Sequence, residues 1–301
     1  MVMTAFLFPG QGSQYIGMAG RVADPIVTRR LFERANDALG FDLWHLVEAG
    51  DEATLICTEN TQPALFATEM AWVEALAIRG TVCDVAAGHS LGEFSALCCA
   101  GVFTFEDGVR LVRRRGEIMA KAVSGSPGTM AAIVGLDEDD LENVLAEGRR
   151  MGIVEAANYN AADQTVVSGE VAAVDGVLVA VKALGRGRAI KLRVGAPFHS
   201  SIMAHGADEF GAVLRDVTFA RPRFPVVNNV AARAESEPEI IRESLVAQFR
   251  SPVQWVHTME TLQRMGASEY LEVGPKSVLT ALGHKAIPGA SIRAVEEEKW
   301  Q

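Results

Sequence analysis

Residues 84–97 read DVAAGHSLGEFSAL: an apolar run, one serine between two glycines, then residues that favour a helix. The centre of the stretch, Gly88-His89-Ser90-Leu91-Gly92, fits Gly-x-Ser-x-Gly, in which a strand turns abruptly into a helix and carries its serine hydroxyl at the apex. Glycine on each side permits the sharp turn and close backbone approach. A glycine-flanked serine can also simply end an element, but the strand before it and the helix after it favour a nucleophile. Free N–H groups at the start of that helix, that of Leu91 among them, are placed to receive a developing oxyanion.

Working outward, strands and helices alternate. Thr4 to Phe8 reads as a buried strand ending in the turn-rich PGQGSQ, followed by helical periodicity over Val27 to Leu39 and Pro63 to Ile78. TVCDVAAG is the strand before the serine and Leu91 to Ala100 the helix after it; a long helix starts from Thr104, with Asp107 as a capping partner, and runs to about Val123. Beyond SGSPG (residues 124–128) the rhythm changes. TMAAIVGL, IVEAANYN, QTVVSGE and RAIKLRV read as strands, with helices at DEDDLENVLAEGRRMG and VAAVDGVLVAVKALG, giving β-α-β-β-α-β, the split unit of a ferredoxin-like fold. Helices near Ser201 to Leu214, Glu237 to Phe249 and Gln254 to Met265 then alternate with strands at FPVVNNV and EYLEVG. The expected fold class is α/β: a large domain with a mostly parallel sheet from residues 1–125 and 197–301, and an inserted ferredoxin-like small domain at 126–196.

Composition narrows the function. A chain of 301 residues, 49% hydrophobic and 22% charged, is long enough to bury a site in one large domain beside a smaller one. The net charge of −10 argues against a nucleic-acid binder, which needs excess Lys and Arg to neutralise phosphates. MVMTAFLFPGQGSQ has no basic leader, and no stretch approaches the roughly 18 apolar residues of a membrane span, so no membrane association is expected. Cys57, Cys83, Cys98 and Cys99 form no Cys-x-x-Cys pair; they read as buried reduced thiols of a cytoplasmic protein, with no metal site.

A serine nucleophile needs a base, and histidine is suited to it. Of the six histidines, His45, His205, His257 and His284 fall in helical patterns and read as surface or packing residues, while His89 reads as structural or pocket-lining. His199, in VGAPFHSSIM, follows a strand and precedes a helix, where α/β sites collect, and is the first choice. No carboxylate stands out as its partner, leaving a backbone carbonyl as a possible acceptor. In VRLVRRRGEIMAKAV, Arg110, Arg114, Glu117 and Lys121 share a polar face, whereas Arg115 has Leu111, Val112, Ile118 and Met119 at helical spacing and points inward. A buried guanidinium must find an anion: either an internal Asp or Glu, or a substrate carboxylate gripped by two N–H groups. FPGQGSQ (residues 8–14) can bring a backbone N–H from Gln11 to the serine; its glycines do not match the Gly-x-Gly-x-x-Gly of a nucleotide loop.

Together, FPGQGSQ, TQPAL, GHSLGEFSAL, RRRGEIM, NYNAADQTVVSG, APFHSSIM, QFRSPVQW and LEVGPKSVL resemble, in order and nearly end to end, the malonyl-CoA:acyl carrier protein transacylases and the related acyltransferases of polyketide synthases. The resemblance implies an α/β-hydrolase-like large domain and a ping-pong transfer of malonyl from malonyl-CoA to the phosphopantetheine thiol of an acyl carrier protein. It makes Ser90 the acylated nucleophile, His199 its base, and Gln248 the residue whose carbonyl orients the histidine. Gln11 and Leu91 then supply oxyanion N–H groups, Arg115 holds the malonyl carboxylate, and Gln62, Asn158 and Asn160 form the pocket. Leu91 and Phe198 match the malonyl-type pattern of extender choice. Ala162 and Asp163 depart from a serine-proline pair common in the family, which questions the local loop shape. The tail VEEEKWQ resembles free-standing acyltransferases. No metal or redox cofactor is implied, the enzyme is expected to act as a monomer, and fatty-acid and polyketide carriers are both open. The basic residues of KALGRGRAIKLR (residues 182–193) are either a docking surface for an acidic carrier or a solvated face. A hydrolase with the same Ser-His pair, or a catalytically silent carrier-binding protein, are the rival functions.

Overall fold

The strand expected at the N-terminus is β1 (Thr4–Phe8), with all but its first residue buried. This computed structural model describes residues 2–122 and 128–298, so the helix end read at Val123 and the domain boundary read at 125/126 lie outside them. After β1 come α1 (Pro25–Leu39), α2 (Leu43–Ala49), α3 (Glu52–Leu55) and α4 (Thr58–Ile78), then β2 (Val85–Gly88), α5 (Gly92–Cys99) and α6 (Phe105–Ala122). The smaller unit follows as β3 (Gly128–Val134), α7 (Glu138–Arg149), β4 (Val154–Ala161), β5 (Gln164–Glu170), α8 (Val171–Leu184) and β6 (Arg188–Lys191). The chain then returns through α9 (Ala204–Arg215), β7 (Val226–Val227), β8 (Ala234–Glu235), α10 (Pro238–Ala247), α11 (Trp255–Arg264), β9 (Glu269–Glu272), α12 (Val278–Ala286) and β10 (Ser291–Ala294).

Two sheets result. The larger has the order β10-β9-β1-β2-β7-β8 and is parallel except for β8, as expected when helical crossovers join the strands. The smaller, β4-β5-β3-β6, is antiparallel throughout, and α7 and α8 cover one face of it with Val144, Val174 and Val177 against Ala131, Ile133 and Val167. That order is the ferredoxin-like one read from the sequence. The two units are stitched together by backbone: Tyr159 N–H donates to the Val253 carbonyl (2.9 Å) and Val253 N–H to the Ala157 carbonyl (2.8 Å).

Where elements differ from the sequence reading, a tertiary contact is the cause. Helix α4 starts at Thr58 rather than Pro63 and carries the proline inside it. Pro63 cannot donate to the Glu59 carbonyl, and Arg113 Nη1 takes that acceptor instead at 3.0 Å. The strand read over FPVVNNV shrinks to Val226–Val227: Asn228 Oδ1 accepts from Ala231 N–H at 2.8 Å to close a turn, and Asn229 is drawn to the side-chain contacts described below. Edge strand β10 has no counterpart in the sequence reading, being four residues long with only alternate residues buried. Cys57, read as buried, is exposed.

The centre of the fold is a crossing of backbones. His89 N–H donates to the Phe8 carbonyl at 2.9 Å, so the end of β1 lies against the turn after β2. A Cβ on Gly88 would strike the Gly92 backbone, one on Gly92 the Phe8 carbonyl, and one on Gly10 would come within 2.5 Å of the His89 carbonyl. Both glycines of the motif are thus required for contact between neighbouring backbones. Replacing Gly92 with Ala is expected to lower the urea midpoint at unchanged slope, by about 1–3 kcal/mol of stability as for other overpacked sites; an unaltered midpoint contradicts this packing.

Candidate active site

The turn between β2 and α5 holds Ser90 at φ 52°, and the loop after β6 holds His199 at φ 58°. Each sits in the left-handed region, which costs a non-glycine residue about 1–3 kcal/mol and persists where the surroundings enforce it. The two meet: Ser90 Oγ lies 2.8 Å from His199 Nε2. His199 Nδ1 is 2.8 Å from the Gln248 carbonyl oxygen, an acceptor that requires the proton on Nδ1 and leaves the Nε2 lone pair facing the serine hydroxyl. A backbone carbonyl therefore stands where a triad would have an acid. Burial first, then the positive charge of Arg115, push the His199 pKa down to about 3, so the ring is neutral at neutral pH.

Asn229, absent from the residues expected at the site, ties the turn down. Its Oδ1 accepts from Ser90 N–H (2.6 Å) and its Nδ2 donates to the Gly88 carbonyl (2.6 Å), spanning the serine on both sides. Its own N–H donates to Glu93 Oε2 at 3.1 Å. Glu93 is also new; it lies in the first turn of α5, a helix whose every residue is buried, and burial raises its pKa to about 7. An acid inside so apolar a segment is the available signal for Glu93, and the paired Asn228-Asn229 after a buried strand the signal for Asn229.

Arg115 projects inward from α6 and is 2% exposed. Nη1 donates to Gln62 Oε1 (2.9 Å); Nη2 donates to Gln248 Oε1 (2.8 Å) and to Ser90 Oγ (3.1 Å). These acceptors are all neutral. Among the described residues Arg115 forms no ion pair and its Nε has no partner, so the internal acid considered from sequence is not in contact with it. The rings of Phe94 and Phe249 lie 5.4 and 5.7 Å from the guanidinium carbon, adding cation–π attraction. Burial lowers the Arg115 pKa to about 9, opposed by the charge of Glu93, and the group stays cationic at neutral pH.

These groups open onto a cavity of about 250 Å³ lined by Gln11, Gln62, Ser90, Leu91, Arg115, Asn158, Asn160, Phe198 and His199, with Met119, Met130, Val166, Leu192 and Val194 as apolar walls. Every residue expected at the site lines it except Gln248, which works from behind. The N–H groups of Gln11 and Leu91 face no hydrogen-bond partner among the described residues and border the cavity beside Ser90. Asn158 and Asn160 share one face of β4, and Asn160 Oδ1 accepts from His89 Nε2 at 2.9 Å, which makes His89 a supporting residue. Gln62 is held by Arg115 on one side and the Met119 sulfur, 3.5 Å away, on the other. Ala162 and Asp163 form the tip of the β4–β5 hairpin, away from the cavity, and Asp163 pairs with Lys285 at 3.2 Å. His45, His205, His257 and His284 are exposed. In the basic run, Arg186 is paired with Asp140 (2.5 Å) and Lys191 with Asp175 (2.6 Å), so part of its charge is spent within the smaller unit.

Comparison with known proteins identifies the family. The acyl transferase domain family matches residues 5–297. The chain belongs to the acyl transferase family. It is 41% identical over 300 residues to a malonyl CoA-acyl carrier protein transacylase of Salmonella typhimurium, covering 99% of this chain and 97% of that one. The transacylase of Bacillus subtilis is 40% identical over 287 residues, with 95% and 90% covered. Among solved structures, a malonyl-transacylase in complex with its type II PKS acyl-carrier protein superposes with a TM-score of 0.94 at 41% identity, covering 98% and 96%. An acyl carrier protein S-malonyltransferase of Vibrio cholerae gives 0.93 at 38% identity, covering 97% and 96%.

For an acyl transferase with this neutral, buried histidine, the acid limb of the pH profile is displaced. The base works only unprotonated, and a pKa lowered from 6.5 towards 3 keeps it unprotonated through the mildly acidic range. His199 is therefore expected to put no acid limb near 6.5 on kcat/KM for acylation, any change near 7 belonging to Glu93; a limb centred at 6.5 that persists in Glu93→Gln contradicts the assigned environment.

Proposed function

We propose that this acyl transferase moves a malonyl group from malonyl-CoA to the phosphopantetheine thiol of an acyl carrier protein through an ester on Ser90. The observation that carries the reading is Arg115: a buried cation with no carboxylate against it and an unpartnered, buried Nε among the described residues, lining a cavity beside a serine–histidine pair. A malonyl carboxylate supplies the missing anion, and an acetyl group does not. The names of the relatives support the same donor and acceptor.

In the first half-reaction His199 Nε2 takes the Ser90 proton as Oγ attacks the thioester carbon. The tetrahedral oxyanion is received by the Gln11 and Leu91 N–H groups; the C–S bond then breaks and the CoA sulfur leaves with the proton from His199. In the second half the carrier thiol gives its proton to His199, its sulfur attacks the ester, and Ser90 departs as the hydroxyl. Gln248 holds the histidine tautomer through both halves, and Gln62, Asn158, Asn160 and Phe198 shape the space for the acyl unit. The steps require no metal or redox cofactor. No described helix is long and apolar enough to cross a membrane, and we place the reaction in the cytoplasm with its carrier, fatty-acid or polyketide.

Intact-protein mass spectrometry tests the reading. With malonyl-CoA the protein is expected to gain one malonyl mass, lose it on addition of a phosphopantetheinylated carrier protein, and gain nothing as Ser90→Ala. An adduct that disappears in buffer alone makes the protein a hydrolase, and absence of any adduct from malonyl-CoA refutes the assignment.

A further inference from the structure

The carboxyl group of Glu93 does not reach the cavity, yet it organises what does. Its Oε2 accepts from two segments that approach the site from different parts of the chain: Asn229 N–H (3.1 Å) from the loop after β7, and Gln248 Nε2 (2.7 Å) from the end of α10. The second contact decides the direction of an amide. Gln248 Nε2 has two hydrogens, and both are placed, one on Glu93 Oε2 and the other on the Ser90 carbonyl at 3.1 Å. With the nitrogen side fixed, Gln248 Oε1 must face the other way, and there it accepts from Arg115 Nη2 at 2.8 Å. A flipped amide would set NH2 against the guanidinium, two donors in contact with no acceptor between them. Among the described residues Arg115 takes no ion pair to settle its orientation, so its fork is aimed by the Gln62 and Gln248 amides together with the Ser90 hydroxyl.

We propose that Glu93 is a positioning residue for acyl selectivity: by fixing the Gln248 amide it aims the Arg115 guanidinium at the carboxylate of the acyl unit. This rests on the transferase reading above and extends it to a residue whose side chain lies outside the cavity and makes no contact with the Ser90 hydroxyl. The charge of Glu93 has a second consequence. When ionised, above its pKa of about 7, Glu93 is near enough to be felt by Arg115 but not in contact with it, so the cation is partly balanced while Arg115 still lines the cavity. An acid in direct contact would occupy that edge and compete with the substrate.

The readout is the ratio of malonyl to acetyl loading on Ser90, measured from malonyl-CoA and acetyl-CoA by intact mass at early times. General loosening of the elbow slows both donors alike and leaves the ratio unmoved. Glu93→Ala, which removes the acceptor, is expected to lower the ratio about tenfold or more, as befits a hydrogen-bonded charged group losing its aim. Glu93→Gln, which can present an acceptor oxygen to Gln248, is expected to hold the ratio within about threefold of the parent. If the Ala variant does not fold, Glu93→Asp, which withdraws the oxygen by one methylene, carries the test with the same expected loss. An unchanged ratio in the folded Ala or Asp variant overturns the proposal, as does an equal loss in the Gln variant. A parent protein that loads neither donor overturns the transferase reading itself, and the inference with it; when the parent loads malonyl, the ratio in the variants tests the role of Glu93 alone.

Discussion

A buried guanidinium without a carboxylate to hold it is the constraint around which this site is arranged. Arg115 is almost fully removed from water and bonded to two side-chain amides and a hydroxyl, none of them charged. Leaving a charge in that condition costs several kcal/mol, which aromatic faces and a distant acid offset only in part. The arrangement makes sense when the cavity receives an anion. Burial chiefly, with the same positive charge in second place, keeps His199 neutral and able to take a proton. Arg115 thus contributes to base readiness as well as to substrate choice.

The second requirement is mechanical. Ser90 and His199 each occupy backbone conformations that nothing local favours, and each is enforced from outside: Ser90 by Asn229 across the turn and by the β1 backbone beneath it, His199 by the Gln248 carbonyl. Glu93 connects these supports. Asn229 and Gln248 both come from a part of the chain far from Glu93 in sequence, and their common acceptor makes the serine, the histidine and the arginine parts of one rigid array. On the proposed mechanism an ester is formed once and broken once per cycle, each time through an oxyanion, and such fixity leaves little reorganisation to be done when that oxyanion forms.

Much of this is legible in the sequence because it depends on local chemistry. The glycines around Ser90 declare a close backbone crossing, helical spacing declares that Arg115 turns inward, and the change from long helices to short strands after residue 128 declares the second sheet. Other features depend on partners distant in the chain and leave no local trace. Pro63 sits inside α4 only because Arg113 serves the carbonyl it leaves idle. Asn229 reads as part of the strand FPVVNNV until its place across the elbow is seen, and Glu93 as a helix former until its burial is. The orienting group for His199 is a main-chain carbonyl, which any residue type could supply; Gln248 is reachable by resemblance alone.

The central claim is that Arg115 is a carboxylate receptor in the ground state, before any chemistry. Titration calorimetry on Ser90→Ala, which cannot be acylated, measures this without turnover. Malonyl-CoA is expected to bind at least about tenfold more tightly than acetyl-CoA, with the difference abolished in Ser90→Ala carrying Arg115→Ala as well. Equal affinity of the two thioesters for Ser90→Ala would contradict the account, since the buried cation would then have no part in recognising the acyl group.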